Sequence, residues 1–143
     1  MTTIEVNVLK DLLGQVLVKA EKIEGGGHWE NDRLVFWLQD GRVYEFSHDQ
    51  DCCESVYIES IVGDLQDLVG SPLVMAEEVG SDSEEIKDED GETYGDSHTW
   101  TFYKFATAKG YVDVRWLGQS NGYYSEDVTH GFLSTNRILM LSK

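Results

Sequence analysis

Leu34-Val35-Phe36-Trp37-Leu38-Gln39-Asp40-Gly41-Arg42-Val43-Tyr44-Glu45-Phe46-Ser47 reads as two strands and the turn between them. The unbroken apolar run from Leu34 to Leu38 suits a central strand buried on both faces. Asp40-Gly41 is a strong two-residue hairpin signal, so Arg42 to Ser47 is predicted to return antiparallel beside it. This hairpin makes β-sheet the organising element, and the rest of the chain is read outward from it.

On the N-terminal side, Gly25-Gly26-Gly27 breaks the chain into a loop that runs to Asp32. Before it, Val16, Val18 and Ala20 alternate with Leu17, Lys19 and Glu21, the period of a half-buried strand over Val16 to Glu24. Val6, Leu9, Leu12 and Leu13 share one face at helical spacing, which predicts a short helix stopped by Gly14.

On the C-terminal side the return strand delivers His48-Asp49-Gln50-Asp51-Cys52-Cys53-Glu54, with both cysteines of the chain and one of its four histidines. Thiolate, imidazole and carboxylate this close together form the donor set of a zinc-type site. His48, Cys52, Cys53 and Glu54 are therefore the candidate metal ligands, with Asp51, His28 or His98 as other sources of the fourth donor. A disulfide between neighbouring cysteines closes a strained small ring, so reduced thiols or metal ligands are expected. The alternative is that one cysteine fills space as a small hydrophobe while His48 caps a backbone group. A catalytic thiol would need an oxyanion hole and a pocket, and no motif predicts either. No phosphate-cradling glycine loop, Gly-x-Ser-x-Gly or His-Glu-x-x-His occurs, so no enzyme is expected.

Val56 to Ile61 has strand composition, and Ile61, Leu65, Leu68 and Val69 then recur at helical spacing until Gly70 and Pro72. Leu73 to Val79 reads as another strand. From Ala76 to Asp96 there are ten acids against Lys87 alone, and Gly80 to Asp96 has almost nothing to bury, which predicts an exposed acidic loop over 80–96. Such a loop is either a solvated insertion or a finger for a cationic groove. In the second case the partner-binding residues are Glu77, Glu78, Asp82, Glu84, Glu85, Asp88, Glu89 and Asp90.

Thr99 to Phe105 is aromatic and Thr-rich, Lys109-Gly110 turns the chain, and Val112, Val114 and Trp116 then alternate with Tyr111, Asp113 and Arg115. Gly118 to Gly122 is read as a second turn leading into Tyr123-Tyr124-Ser125-Glu126. Arg115, Asn121, Tyr123 and Tyr124 are candidate nucleotide-binding residues, against the alternative that Trp116 is core and the turn a simple hairpin. Phe132 to Leu141 ends in an apolar run that forms a last strand or a short helix. Together these elements predict a single α+β domain over 1–143: mostly antiparallel β-sheet, one or two short helices and a long acidic loop.

The formal charge of −16 over 143 residues repels nucleic-acid backbones and anionic membranes and favours a basic partner, although acidity for solubility alone gives the same number. No apolar run approaches the ~18–20 residues needed to cross a bilayer, and the start lacks signal-peptide features, so a cytoplasmic protein is expected.

Two blocks carry a resemblance. His48 to Val56 followed by Gly63-Asp64-Leu65, and Thr99 to Lys104 through Arg115-Trp116 to Ser120-Asn121-Gly122-Tyr123-Tyr124-Ser125-Glu126, resemble the signatures of a family of small phage and prophage proteins of unknown function. The resemblance covers about residues 13–128, with the acidic stretch as a variable insert and 131–143 as a C-terminal extension. It implies a counter-defence role in a bacterial host cell. The acidity and the zinc-type cluster are similar to those of anti-CRISPR proteins, which implies a stoichiometric inhibitor of a Cas9-type nuclease with structural zinc. The alternative implied role is a sponge for a cyclic nucleotide immune signal.

Overall fold

In the computed structural model of the chain, residues 9–25, 31–50, 53–81, 97–120 and 124–134 are described. They form β1 (Leu17–Ile23), β2 (Arg33–Leu38), β3 (Val43–Ser47), β4 (Ser55–Val62), a 3-10 turn (Leu65–Leu68), β5 (Met75–Ser81), β6 (Ser97–Thr107), β7 (Gly110–Ser120) and β8 (Thr129–Phe132). One sheet has the order β1-β2-β3-β8 and the other β4-β7-β6-β5, with every neighbouring pair antiparallel.

The sheets stack face to face through aromatic rings. Phe36 of β2 meets Phe105 of β6 edge-on at 5.0 Å between centroids, and Phe46 of β3 lies 4.8 Å from Tyr103 and 5.6 Å from Phe105. Trp116, Val114 and Val112 of β7 complete the inner face of their sheet, as their alternation predicts. The β2–β3 hairpin forms as expected. Gly41 takes a φ of +96°, a conformation that side chains disfavour, while the Asp40 carboxylate accepts from the Arg42 backbone N–H at 3.0 Å.

The architecture is therefore essentially all-β, which corrects the α+β expectation. Ile61 and Val62, the start of the expected second helix, belong to β4. Gly63 then breaks the run, and what remains is one 3-10 turn capped by Asp64, whose carboxylate accepts from the Gln66 N–H at 2.9 Å. A stretch this short cannot offset the cost of nucleating an α-helix. Of the expected Val6–Leu13 helix, residues 6–8 lie outside the described residues. Leu9 and Lys10 are helical and run into a turn over residues 11–14, with Leu9 and Leu12 buried.

Two bulges also change what alternation implies. The register of β1 shifts between Leu17 and Lys19, so Leu17 and Ala20 face the core while Val18 is 57% exposed. The extra residue turns the pattern over, and Val16, Val18 and Ala20 do not form the expected face. A similar shift between Ile58 and Ser60 bends β4 beside Ile58, whose N–H donates to Asp32 Oδ2 at 3.0 Å.

Candidate functional site

β3 and β4 are consecutive in the chain but lie in different sheets, so the chain changes layer between Ser47 and Ser55. His48 leaves the end of β3 with its side chain 2% exposed, and the Glu54 side chain at the start of β4 is 0% exposed. His48 Nε2 and Glu54 Oε2 are 2.7 Å apart, and His48 Nδ1 is 2.7 Å from the backbone carbonyl of Asp127. A carbonyl only accepts, so Nδ1 must carry a proton and donate. A further proton then lies in the short contact between Nε2 and the Glu54 carboxylate. Gln50 and Asn31 close the group through their side-chain amides, which donate to the carbonyls of Glu54 and His48 at 2.7 and 3.2 Å.

These residues do not fit zinc as arranged. A histidine ligand offers a ring-nitrogen lone pair, and both nitrogens of His48 are engaged in hydrogen bonds. Cys53 is disulfide-bonded, which corrects the expectation of a reduced thiol or thiolate ligand there. Cys52 and Asp51 lie outside the described residues, as does His28, and His98 stands at the start of β6.

The second signature block meets the first. Glu126 is buried, with Oε1 accepting from Thr99 Oγ1 of β6 at 2.7 Å and Oε2 accepting from Ser120 Oγ of β7. Its neighbour Asp127 supplies the carbonyl that takes the His48 proton. Gly118 makes this possible, because a Cβ there would stand 2.7 Å from both the Cβ and the carbonyl oxygen of Glu126. Gly118→Ala is accordingly expected to lose about 1–3 kcal/mol of stability by forcing that strap outward, read by urea unfolding. An unchanged midpoint would show that the strap moves freely. Thr99, Ser120 and Glu126 belong to the second signature block but are not candidate site residues from sequence, since nothing in a linear pattern reveals that a carboxylate returns across its own strand.

The same strap lines a cleft of about 630 Å³ at the open side of the sandwich, between edge strands β5 and β8. Ala76, Glu77 and Glu78 form one wall, Asp127 to His130 the other, with Thr101, Leu9 and Lys10 completing it. His130 Nε2 reaches Glu78 Oε1 at 3.2 Å, and His130 Nδ1 lies 2.6 Å from the Tyr44 hydroxyl. Tyr44 is fully buried, so this chain of contacts orients the imidazole. The hydrogen bond from His130 holds the Glu78 carboxyl below the usual glutamate range, against partial burial. The stability Glu78 contributes is complete above its ordinary value of about 4.5 and is lost as pH falls through the lower folded value. Glu78→Gln should remove that part of the acid slope of unfolding, and an unaltered slope would contradict the pairing. Tyr103 lies against His130, its ring centroid 5.7 Å away. Burial first, and then the Glu78 charge, push its hydroxyl well above the ordinary tyrosine value.

Of the expected partner-binding acids, Glu77 and Glu78 line this cleft, and Asp82, Glu84, Glu85, Asp88, Glu89 and Asp90 lie outside the described residues. The nucleotide-binding group is not brought together. β7 stays extended to Ser120, so the expected turn at Gly118 does not occur. Arg115 projects from mid-strand over the Phe102 ring, 5.5 Å from its centroid, on the side of the sheet away from the core. Ser120 is five residues further, about 16 Å along the strand. Tyr124 is half-buried, while Asn121 and Tyr123 lie outside the described residues.

Residues 10–130 match the family described as a domain of unknown function, DUF7448. The chain belongs to that family. The match brackets the core of about 13–128 expected from the two signature blocks and includes the acidic insert within DUF7448. No curated protein and no solved structure matches the chain. Among the described residues of this DUF7448 protein, no helix is long and apolar enough to cross a membrane.

Proposed function

We propose that the protein is a non-enzymatic binding protein for a strongly basic partner, and that it acts as a phage-encoded, stoichiometric inhibitor of a Cas9-type nuclease. The observation that carries this reading is the distribution of its charge. The chain has a formal charge of −16, and the acidic stretch starts at Glu77 and Glu78, on the wall of the cleft where Asp127 also stands. Carboxylates concentrated at an open edge create a potential that attracts cationic surfaces, speeds encounter and repels phosphate. Effector nucleases hold nucleic acid in channels of the opposite sign, and an acidic protein competes for that channel.

A cyclic nucleotide sponge has less support. The cleft walls would repel its phosphates, and Arg115 faces away from the cleft's sheet interface.

The test is co-elution of the purified chain with a Cas9-type effector at low salt, followed by salt titration. A one-to-one complex that blocks cleavage and dissociates steeply with salt is expected. Neutralising Asp82, Glu84, Glu85, Asp88, Glu89 and Asp90 to their amides should weaken it. An empty co-elution at low salt, or inhibition at far less than one equivalent, would overturn the proposal.

A further inference from the structure

The outer face of a two-layer sandwich ordinarily meets water, and its side chains are polar or half exposed. Part of the first sheet departs from this. Leu34, Phe36 and Leu38 of β2, with Tyr44 and Phe46 of β3, belong to the core between the layers. By alternation Val35, Val43 and Glu45 then point outward, and the two valines stand apart from that core. Yet Val35 is 0% exposed, Val43 1% and Glu45 6%.

Strand neighbours do not supply the shielding. Glu45 lies in register between Val35 and Gly131, and Gly131 has no side chain to lay over it. On the same face Trp37 is only half-buried, and Lys19 and Glu21 of β1 are exposed. The covered area is therefore a patch on the β2–β3 side that holds two valines and a carboxylate. A carboxylate taken out of water needs charge and hydrogen-bond donors around it. Arg33 Nη1 stands 3.3 Å from Glu45 Oε2, and with about four acceptor positions the carboxylate accommodates a second guanidinium as well.

The path of the chain indicates what lies there. Beyond β8 the Leu133 N–H still donates to the Val43 carbonyl at 2.8 Å, so the chain passes Ser134 directly beside the patch. The nine residues that follow, 135–143, hold Ile138, Leu139, Met140 and Leu141 in a row, with Arg137 and Lys143 and no acid. Against a chain of formal charge −16 this is a cationic, apolar segment, complementary to two valines around a carboxylate. Other segments fit less well. Residues 26–30 join β1 to β2 at the Ile23–Arg33 end of the sheet, away from the Trp37–Val43 pair, and bring one large apolar side chain. Residues 1–8 lead into Leu9, which packs between the layers.

We propose that the outer face of the first sheet is the docking surface of the chain's own segment 135–143. Side chains from 138–141 cover Val35 and Val43, and the Arg137 guanidinium joins Arg33 on Glu45. The sandwich thereby gains a third layer on one side, a feature independent of any basic partner.

The test reads the methyl groups of the labelled full chain in the presence of a soluble paramagnetic agent. Val35 and Val43 should relax several-fold more slowly than the exposed Val18, and should show Overhauser contacts to methyl groups within 138–141. Adjacent side chains diverge, so Ile138→Asp/Leu139→Asp disturbs the contact whichever of the two faces the sheet. In that variant Val35 and Val43 should approach the relaxation of Val18 while Val112 and Val114 stay protected, which separates loss of the cover from unfolding. Arg137→Ala and Glu45→Gln should each lower the urea midpoint, and together lower it by clearly less than the sum. Contacts from Val35 and Val43 to Trp29 or to residues 1–8 in place of 138–141 would overturn the proposal. Unchanged relaxation in the folded aspartate variant, or additive losses in the Arg137 and Glu45 pair, would do so too. Should the aspartate variant unfold, the Overhauser contacts of the unaltered chain decide alone.

Discussion

Glu54→Ala is expected to cost about 3–5 kcal/mol of stability, because it strands the imidazole of His48 in a dry site with its Nε2 proton unmatched. For a chain of this size that lowers the thermal midpoint by roughly 10 °C or more. Both side chains are almost wholly shielded, so solvent screening does not dilute the effect. Glu54→Gln still offers an acceptor to Nε2 and should cost less. His48→Ala loses the link to Asp127 as well and should cost at least as much as Glu54→Ala. The double variant should fall well short of the sum of the singles, since each removes the same contact. Chelator and added zinc should leave all of these values where they are. Additive losses, or losses that appear only with chelator, would contradict the role given to the pair.

Phe46→Ala should cost a similar amount, about 3–5 kcal/mol, for a different reason. Its ring sits at the centre of the stacked layers, 5.5 Å from Phe36, 5.1 Å from Tyr44, 4.8 Å from Tyr103 and 5.6 Å from Phe105. Removing it empties a cavity between two sheets that cannot close without breaking strand ladders. Phe46→Leu keeps much of the volume and should recover much of the loss. Because His130 also packs on Phe46 at 5.5 Å, the cavity should loosen the cleft wall and weaken any cationic ligand there. A loss below about 1 kcal/mol by chemical denaturation would mean that the sheets do not meet at this residue.

Much of the sheet was legible because its signals are local. The Leu34–Ser47 hairpin, the alternation of Val112, Val114 and Trp116, and the aromatic run in β6 each depend on residues within one strand or one turn. The misread parts depend on distant ones. Nothing near Val18 signals the bulge that turns it outward, because the bulge is set by pairing with β2. Helical spacing of Ile61, Leu65 and Leu68 is real, but pairing of Ile61 and Val62 with β7 takes precedence over it. That β3 and β4 part into different sheets is not written in either segment.

The candidate site shows the same division. The sequence pointed to His48 and Glu54, and the structure brings them within a hydrogen bond. A donor inventory cannot say whether ring nitrogens are already taken, and the carbonyl that takes one belongs to Asp127, far along the chain. The two signature blocks therefore become intelligible only together. His48 and Glu54 form one half of a joint across the layers, and Ser120, Glu126 and the Asp127 carbonyl form the other. His130 stands in no sequence motif, and its pairing with Tyr44 and Glu78 arises from strand order alone.

The ring nitrogens of His48 offer the sharpest test of that joint. Long-range proton–nitrogen spectra of the full chain, with and without zinc, read both nitrogens directly. The predicted result is a hydrogen-bonded Nδ1–H and an Nε2 signal that moves in Glu54→Gln yet stays fixed on adding zinc. A His48 nitrogen that shifts to a metal-bound position as one equivalent of zinc is taken up would show the joint to be a metal centre instead.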